Sequence, residues 1–157
     1  MNITDKIKTF DDACKAIGLA GPEALPELLQ EKYAAIVPSH IKAQLKLEII
    51  TLALNEGWQH IPDGRHYAYW PWFCLYTAGE IADMGKKGAE ERAMINATDV
   101  SDVFAGLGYA ASSSAWSYSN AYFGSRLACK SEEIAYYFGT QFIDIWMEYL
   151  MIPLVAR

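Results

Sequence analysis

Three histidines and three cysteines are the residues of this chain best equipped for metal or nucleophilic chemistry. A zinc site needs ligands at short, regular spacing, such as two histidines one helical turn apart. His40, His60 and His66 are not spaced that way, and Cys14, Cys74 and Cys129 form no close pair. His40 reads as a first-turn helix residue, while His60 and His66 flank the turn Pro62-Asp63-Gly64. No metal and no cofactor is assigned. Cys74 and His66 have the residue types of a thiolate–imidazole pair, but such a pair also needs hydrogen-bond reach and a third group to orient the base. Inside Trp72-Phe73-Cys74-Leu75 the thiol is expected to be a small buried hydrophobe. Ser112 to Ser114 lack the Gly-x-Ser-x-Gly setting of a nucleophile elbow and read as a turn. The acid pairs Asp11/Asp12, Glu90/Glu91 and Glu132/Glu133 sit at helix starts or in polar stretches, where capping and solubility account for them. No catalytic residue is assigned, and the balance leans against an enzyme.

Two constellations remain that suit binding. Gly124-Ser125-Arg126, followed by Lys130 and Ser131 at a helix start, brings cations and hydroxyls to backbone amides that can hold an anion. Glu132 and Glu133 crowd the same end with negative charge, and no Walker-type or dinucleotide glycine spacing accompanies it. The second constellation is aromatic. Phe, Trp and Tyr make up 13% of the chain and gather in residues 58–76 and 104–123. Neighbouring rings such as Tyr69-Trp70 point to opposite faces of an extended strand, so one core cannot take them all. The surplus must line a cleft or meet a partner. Tyr69, Trp70, Trp72, Trp116, Tyr118, Arg126 and Lys130 are the candidate binding residues.

Helices and a small sheet must position these groups. Thr9 with Asp12 three residues on forms a capping box, Phe10, Ala13, Cys14 and Ile17 make one apolar face, and Gly18 ends that helix. A second short helix is expected from Pro26 to about Val37, with Leu28, Leu29, Tyr33 and Ile36 inward. A third is capped by Ser39 and stops before Gly57. It carries two stripes, Ile41-Leu45-Ile49-Leu52 and Leu47-Ile50-Leu54, and so reads as central and buried. The run from His66 to Tyr76 favours extended structure, with Pro71 restricting it to an edge or a bulge. Residues 79–96, holding Gly79, Gly85 and Gly88, read as an irregular excursion. Val103 to Leu127 reads as short strands joined by small-residue turns. Ser131-Glu132-Glu133 opens the last helix, with Ile134, Phe138, Phe142, Ile145 and Tyr149 on one face and Pro153 beyond it.

A length of 157 residues, 52% hydrophobic and 20% charged, fits one globular domain spanning 1–157. The net charge of −6 argues against nucleic acid as the main partner. The first residues lack an apolar run behind a basic start, no stretch is long enough to span a bilayer, and the odd cysteine count fits a reducing compartment. A cytoplasmic protein without a membrane partner is expected.

The opening Lys6-Ile7-Lys8-Thr9-Phe10-Asp11-Asp12-Ala13-Cys14-Lys15-Ala16-Ile17-Gly18 resembles small uncharacterised proteins of Bacteroidetes phages and prophages. So do Leu54-Asn55-Glu56-Gly57-Trp58, Tyr69-Trp70-Pro71-Trp72-Phe73, the run Gly124 to Ser131, and Ala135-Tyr136-Tyr137-Phe138-Gly139-Thr140-Gln141-Phe142. The likeness covers both ends and the aromatic centre and departs at residues 79–120. It brings no activity and no site residues; it implies a bacterial or viral setting and a role in infection, lysogeny or the particle. The expectation is an α+β fold, with N-terminal helices and a long C-terminal helix packed on a small, mainly antiparallel sheet. Its expected function is non-catalytic binding of a protein partner through the aromatic surface. The alternatives are a self-associating virion component and a binder of small anionic, nucleotide-like ligands.

Overall fold

Reciprocal capping starts the chain's second helix. The computed structural model describes residues 2–33, 35–61, 63, 65–100, 102–115 and 125–152. After a single turn, α1 (Ile3–Lys6), α2 spans Phe10–Ala16. Thr9 Oγ1 accepts from the Asp12 amide at 3.2 Å, and the Asp12 carboxylate accepts from the Thr9 amide at 2.9 Å. Ala13 and Cys14 are buried, with Phe10 and Ile17 packed beside them, as the spacing requires. The expected helix over 26–37 does not form. Short 3₁₀ turns at Glu27–Leu29 and Glu31–Tyr33 replace it. Gln30 between them is extended, and its side chain donates to the Leu25 carbonyl at 3.1 Å. Leu29 packs against the core, but Leu28 and Ile36 are exposed, so the stripe buries too little to hold so short a helix, which does not persist on propensity alone.

Helix α3 (Ser39–Leu54) is the centre of the molecule. Its N-cap is Pro38, which makes Ser39 the first helical residue and not the cap. Ala43, Leu47, Ile50 and Leu54 are completely buried. The helix ends through Asn55, Glu56 and Gly57; the last two have positive φ, 53° and 83°. Gly57 supplies a left-handed conformation at low cost there.

Strand β1 (Ala68–Tyr76) pairs antiparallel with β3 (Gly106–Ala115), which also pairs with the two-residue β2 (Ile95–Asn96), in the order β1-β3-β2. Pro71 therefore lies on an edge strand, where its missing N–H is tolerated. The register steps from Trp72↔Ala111 to Phe73↔Tyr109, so Ala110 is an extra residue and β3 carries the bulge. Ser112 to Ser114 are not a turn. They continue β3 opposite Pro71, Trp70 and Tyr69, small residues facing large ones.

Residues 79–96 are more regular than expected. Helix α4 (Ala78–Glu91) also starts with a capping box, Thr77 with Glu80, and Gly85 breaks it in the middle at φ 67°, ψ 179°. The long C-terminal helix is two helices, α5 (Glu132–Gln141) and α6 (Ile143–Leu150), separated at Phe142. The break turns Trp146 fully into the core, where its indole N–H donates to the Phe138 carbonyl at 3.2 Å. The fold is α+β, its helices packed on a small antiparallel sheet. Among the described residues the larger core cluster runs from Ile7 through α3 and β1 to Trp146, and a smaller one gathers Ala97, Leu107 and Ile143.

Candidate functional site

The two stripes of α3 have different fates. Leu47, Ile50 and Leu54 enter the core, whereas Leu45, Glu48, Ile49 and Leu52 form one wall of a cavity of about 470 Å³. These positions follow i, i+3, i+4, i+7, so one helical face supplies the wall. Trp58, Gln59 and His60 also line it, with Arg126 and Ala128 contributed by the segment before α5. A volume of this size is typical of small-molecule sites.

Asn55 fixes that geometry. Its amide nitrogen donates to the Ala128 carbonyl at 2.7 Å, and its side-chain oxygen accepts from the Lys130 amide at 3.0 Å. The end of α3 is thereby tied to residues 128–130. Cys129 in turn bridges to Tyr69 of β1 by a pair of backbone hydrogen bonds, 3.0 and 2.8 Å. The Trp58 amide donates to the Asn55 carbonyl at 3.0 Å, which sets the aromatic wall just past the helix end.

His60 is the unusual member. Its ring lies 6.1 Å from Trp58 and 6.1 Å, edge-on, from Trp70. The residue is only 6% exposed, and among the described residues neither ring nitrogen has a hydrogen-bond partner. A buried polar group left in that state costs about 1–3 kcal/mol. At the mouth, Arg126 Nη1 stands 3.5 Å from Glu48 Oε2; the arginine side chain is 82% exposed and the carboxylate 21%. Glu48 also accepts from Gln44 at 3.2 Å.

The candidate residues named from sequence divide. Arg126 reaches the cavity mouth. Lys130 does not join it: its ammonium donates to Glu56 at 2.6 Å and to the Asn55 carbonyl at 3.3 Å. That contact, with its charge, holds the Glu56 carboxyl below its ordinary range. The anion site imagined between Arg126 and Lys130 is thus divided between two carboxylates, and Ser131 Oγ caps α5 by accepting from Ile134. Trp70 is 3% exposed and belongs to the core, not to a surface. Tyr69 is half-buried, and Trp72 is 43% exposed. Trp116 and Tyr118 lie outside the described residues, as do Pro62, Gly64, Gly124 and Pro153. Glu48, Trp58 and His60 were not singled out as binding residues; the usable signal was a helix with two apolar stripes followed, after its glycine stop, by Trp58-Gln59-His60.

Among the described residues, no catalytic set assembles around the cavity. The Thr51 hydroxyl donates to the Leu47 carbonyl of its own helix, and both ends of the Asn55 amide are engaged. No carboxylate among the described residues orients His60. His66 is exposed and hydrogen-bonded to Asp63 at 2.9 Å. It precedes β1, and Cys74 lies six strand residues beyond Ala68, a rise of about 20 Å. Cys74 is also exposed, not the buried hydrophobe expected, because it shares the outward face of β1 with Trp72. Burial pushes the Cys14 and Cys129 thiols up, away from the thiolate form. No group of three or more metal-ligating side chains occurs among the described residues.

A second depression, about 830 Å³, lies between α1, α2 and the end of α3. Its carboxylates already have partners, Asp12 at Thr9 and Glu56 at Lys130. The first cavity, walled by α3 and Trp58, is the stronger candidate. Fold and cavity together define a small α+β protein with a ligand-sized pocket beside its central helix. No family model, curated protein or solved structure matches the chain.

Proposed function

We propose that this chain is a non-catalytic binding protein whose small-molecule ligand occupies the cavity between α3 and Trp58-Gln59-His60. The supporting observation is the cavity itself, about 470 Å³, lined by one face of α3 together with Trp58, Gln59 and His60. A volume of that size, lined by apolar side chains with a few polar groups, suits a small molecule. The resemblance to phage and prophage proteins adds a setting: an accessory protein in the cytoplasm of an infected or lysogenic bacterium. Ligand-observed NMR with a fragment library tests the reading. Hits should disappear in Leu45→Trp, which fills the cavity from a half-buried position, while the variant keeps its melting temperature. Hits that survive the plug, or none at all, would overturn it.

A second reading rests on the far end of β1. Trp72 is 43% and Tyr67 54% exposed, beside an edge strand. A protein partner or a second copy of the chain, as in a virion component, would cover them. A defined oligomer in sizing chromatography that Trp72→Ser dissociates would support this; a monomer throughout would remove self-association.

A further inference from the structure

We propose that two copies of this chain pair antiparallel along the open edge of β1, in a register centred on Cys74. This rests on the second reading above and adds the element, the register and the occupant.

β1 has one neighbour in the sheet, β3, and its other edge is only partly used. The Tyr69 amide and carbonyl exchange hydrogen bonds of 3.0 and 2.8 Å with Cys129, so they point away from β3. Backbone groups alternate along a strand, and the extra residue lies in β3, which leaves β1 regular. Pro71, Phe73 and Leu75 therefore face the same edge as Tyr69. Among the described residues nothing bonds the Phe73 and Leu75 amides or carbonyls there, and both residues are only half-buried. An edge in that state is a template for another strand.

Charge points to a second copy. A two-fold contact sets a surface against itself, so every charge within it meets its like. The chain carries a net charge of −6, yet no charged residue stands between His66 and Glu80. Along β1 two copies can approach without that repulsion.

The open groups then choose the register. With Cys74 opposite the partner's Cys74, Phe73 bonds the partner's Leu75 and Leu75 bonds the partner's Phe73. Every open donor and acceptor of these residues is used. Pro71 falls opposite the partner's Thr77, and neither lacks anything there. Proline has no N–H, while the amide of Thr77 donates to Glu80 at 2.8 Å and its carbonyl accepts from Ile81 at 3.1 Å. A register centred on Phe73 would instead set Leu75 against the partner's Pro71 and strand the Leu75 carbonyl. On the outward face, Trp72, 43% exposed, comes beside the partner's Tyr76 as a cross-strand aromatic pair. The partner's strand ends at Tyr76, short of the Tyr69–Cys129 bridge.

Sedimentation velocity of the intact protein in reducing buffer should show a dimer. Amide exchange followed by NMR should find Phe73 and Leu75 at least roughly tenfold slower in it than in a monomer. Cys74→Asp supplies the monomer: it sets two carboxylates opposite each other, at a position exposed in the single chain. Its far-UV circular dichroism should be unchanged, and Cys74→Ser should leave the dimer intact. Diamide, which takes up the two thiol hydrogens, should link Cys74 to the partner's Cys74. Opposed residues of a non-hydrogen-bonded pair stand about 4.5 Å apart at Cα, within reach of a disulfide. A dimer that survives Cys74→Asp, or whose Phe73 and Leu75 amides exchange freely, would overturn the edge pairing and leave association through Trp72 standing. A protected edge without the disulfide would overturn the register. A monomer at every concentration would end self-association altogether. If Cys74→Asp folds poorly, dilution of the wild type supplies the monomer for the exchange comparison.

Discussion

Asn55 and His60 are two buried polar residues with opposite fates. Every hydrogen-bonding group of the Asn55 side chain used by the fold reaches backbone at residues 128–130, whereas both His60 nitrogens go unanswered. Asn55→Ala should therefore destabilise the protein by about 2–3 kcal/mol, since it strands a carbonyl and an amide next to α3. Urea unfolding measures this, and a loss under about 0.5 kcal/mol would show that the link is dispensable. His60→Phe should do the reverse, raising the urea midpoint, because an apolar ring needs no partner. A lowered midpoint would mean the imidazole is satisfied in the folded protein. Neither role is legible in sequence. An asparagine after a helix reads as a stop signal, and a histidine near a Pro-Asp-Gly turn reads as surface. What distinguishes them is the return of residues 126–130 to the end of α3, a contact between segments 75 residues apart.

Capping carboxylates are the residue-scale feature that sequence did convey, at Asp12, and also one it missed, at Glu80. Hydrogen bonds from Thr9, Lys8 and Thr77 hold both carboxyls below their ordinary values of 3.8 and 4.5. A depressed folded value stabilises the protein at pH above the unfolded value, and that contribution disappears as pH falls through the folded one. Acid titration of stability should accordingly decline below about pH 4.5 and become shallower in Asp12→Asn. An unchanged slope in that variant would remove Asp12 from the account.

At the scale of elements, the bulge, the kink and the break carry most of what patterning could not show. Periodicity located α2 and α3 and the extended run that became β1. It failed where a local defect changes direction. Gly85 divides α4, the extra Ala110 offsets β3, and Phe142 separates α5 from α6. Residues 26–37 show the opposite failure: a helical pattern that buries only part of its apolar face gives way to 3₁₀ turns. Gly139 tests the packing between helix and sheet. A Cβ added there would stand 2.7 Å from Pro71 Cβ and 2.9 Å from Tyr109 Cδ2. Gly139→Ala should then cost about 1–3 kcal/mol despite alanine's better helix propensity. A neutral or stabilising result would mean α5 is free to lift from β1.

Over the whole molecule, a core shared by residues from Ile7 to Trp146 predicts that unfolding is one cooperative event. Tryptophan fluorescence and far-UV circular dichroism should give coincident urea transitions, and separated midpoints would show that the sheet and the helical part fold apart. Among the described residues, no helix is long and apolar enough to cross a membrane. The α+β class was legible because the aromatic centre and the capped helices use different periods. The cavity was not, because it arises from a helix face and two distant segments that meet only in the folded chain. Of the rings in the middle of the chain, Trp70 lies inside, Trp58 lines the cavity and Trp72 faces outward.

Binding in that cavity is most directly tested by mapping amide and side-chain chemical shifts while the fragments that bind are added to the intact protein. The account predicts saturable shifts confined to Trp58, His60 and the α3 face at Leu45, Glu48, Ile49 and Leu52. Shifts centred instead on Tyr67 and Trp72, with the α3 face silent, would contradict it.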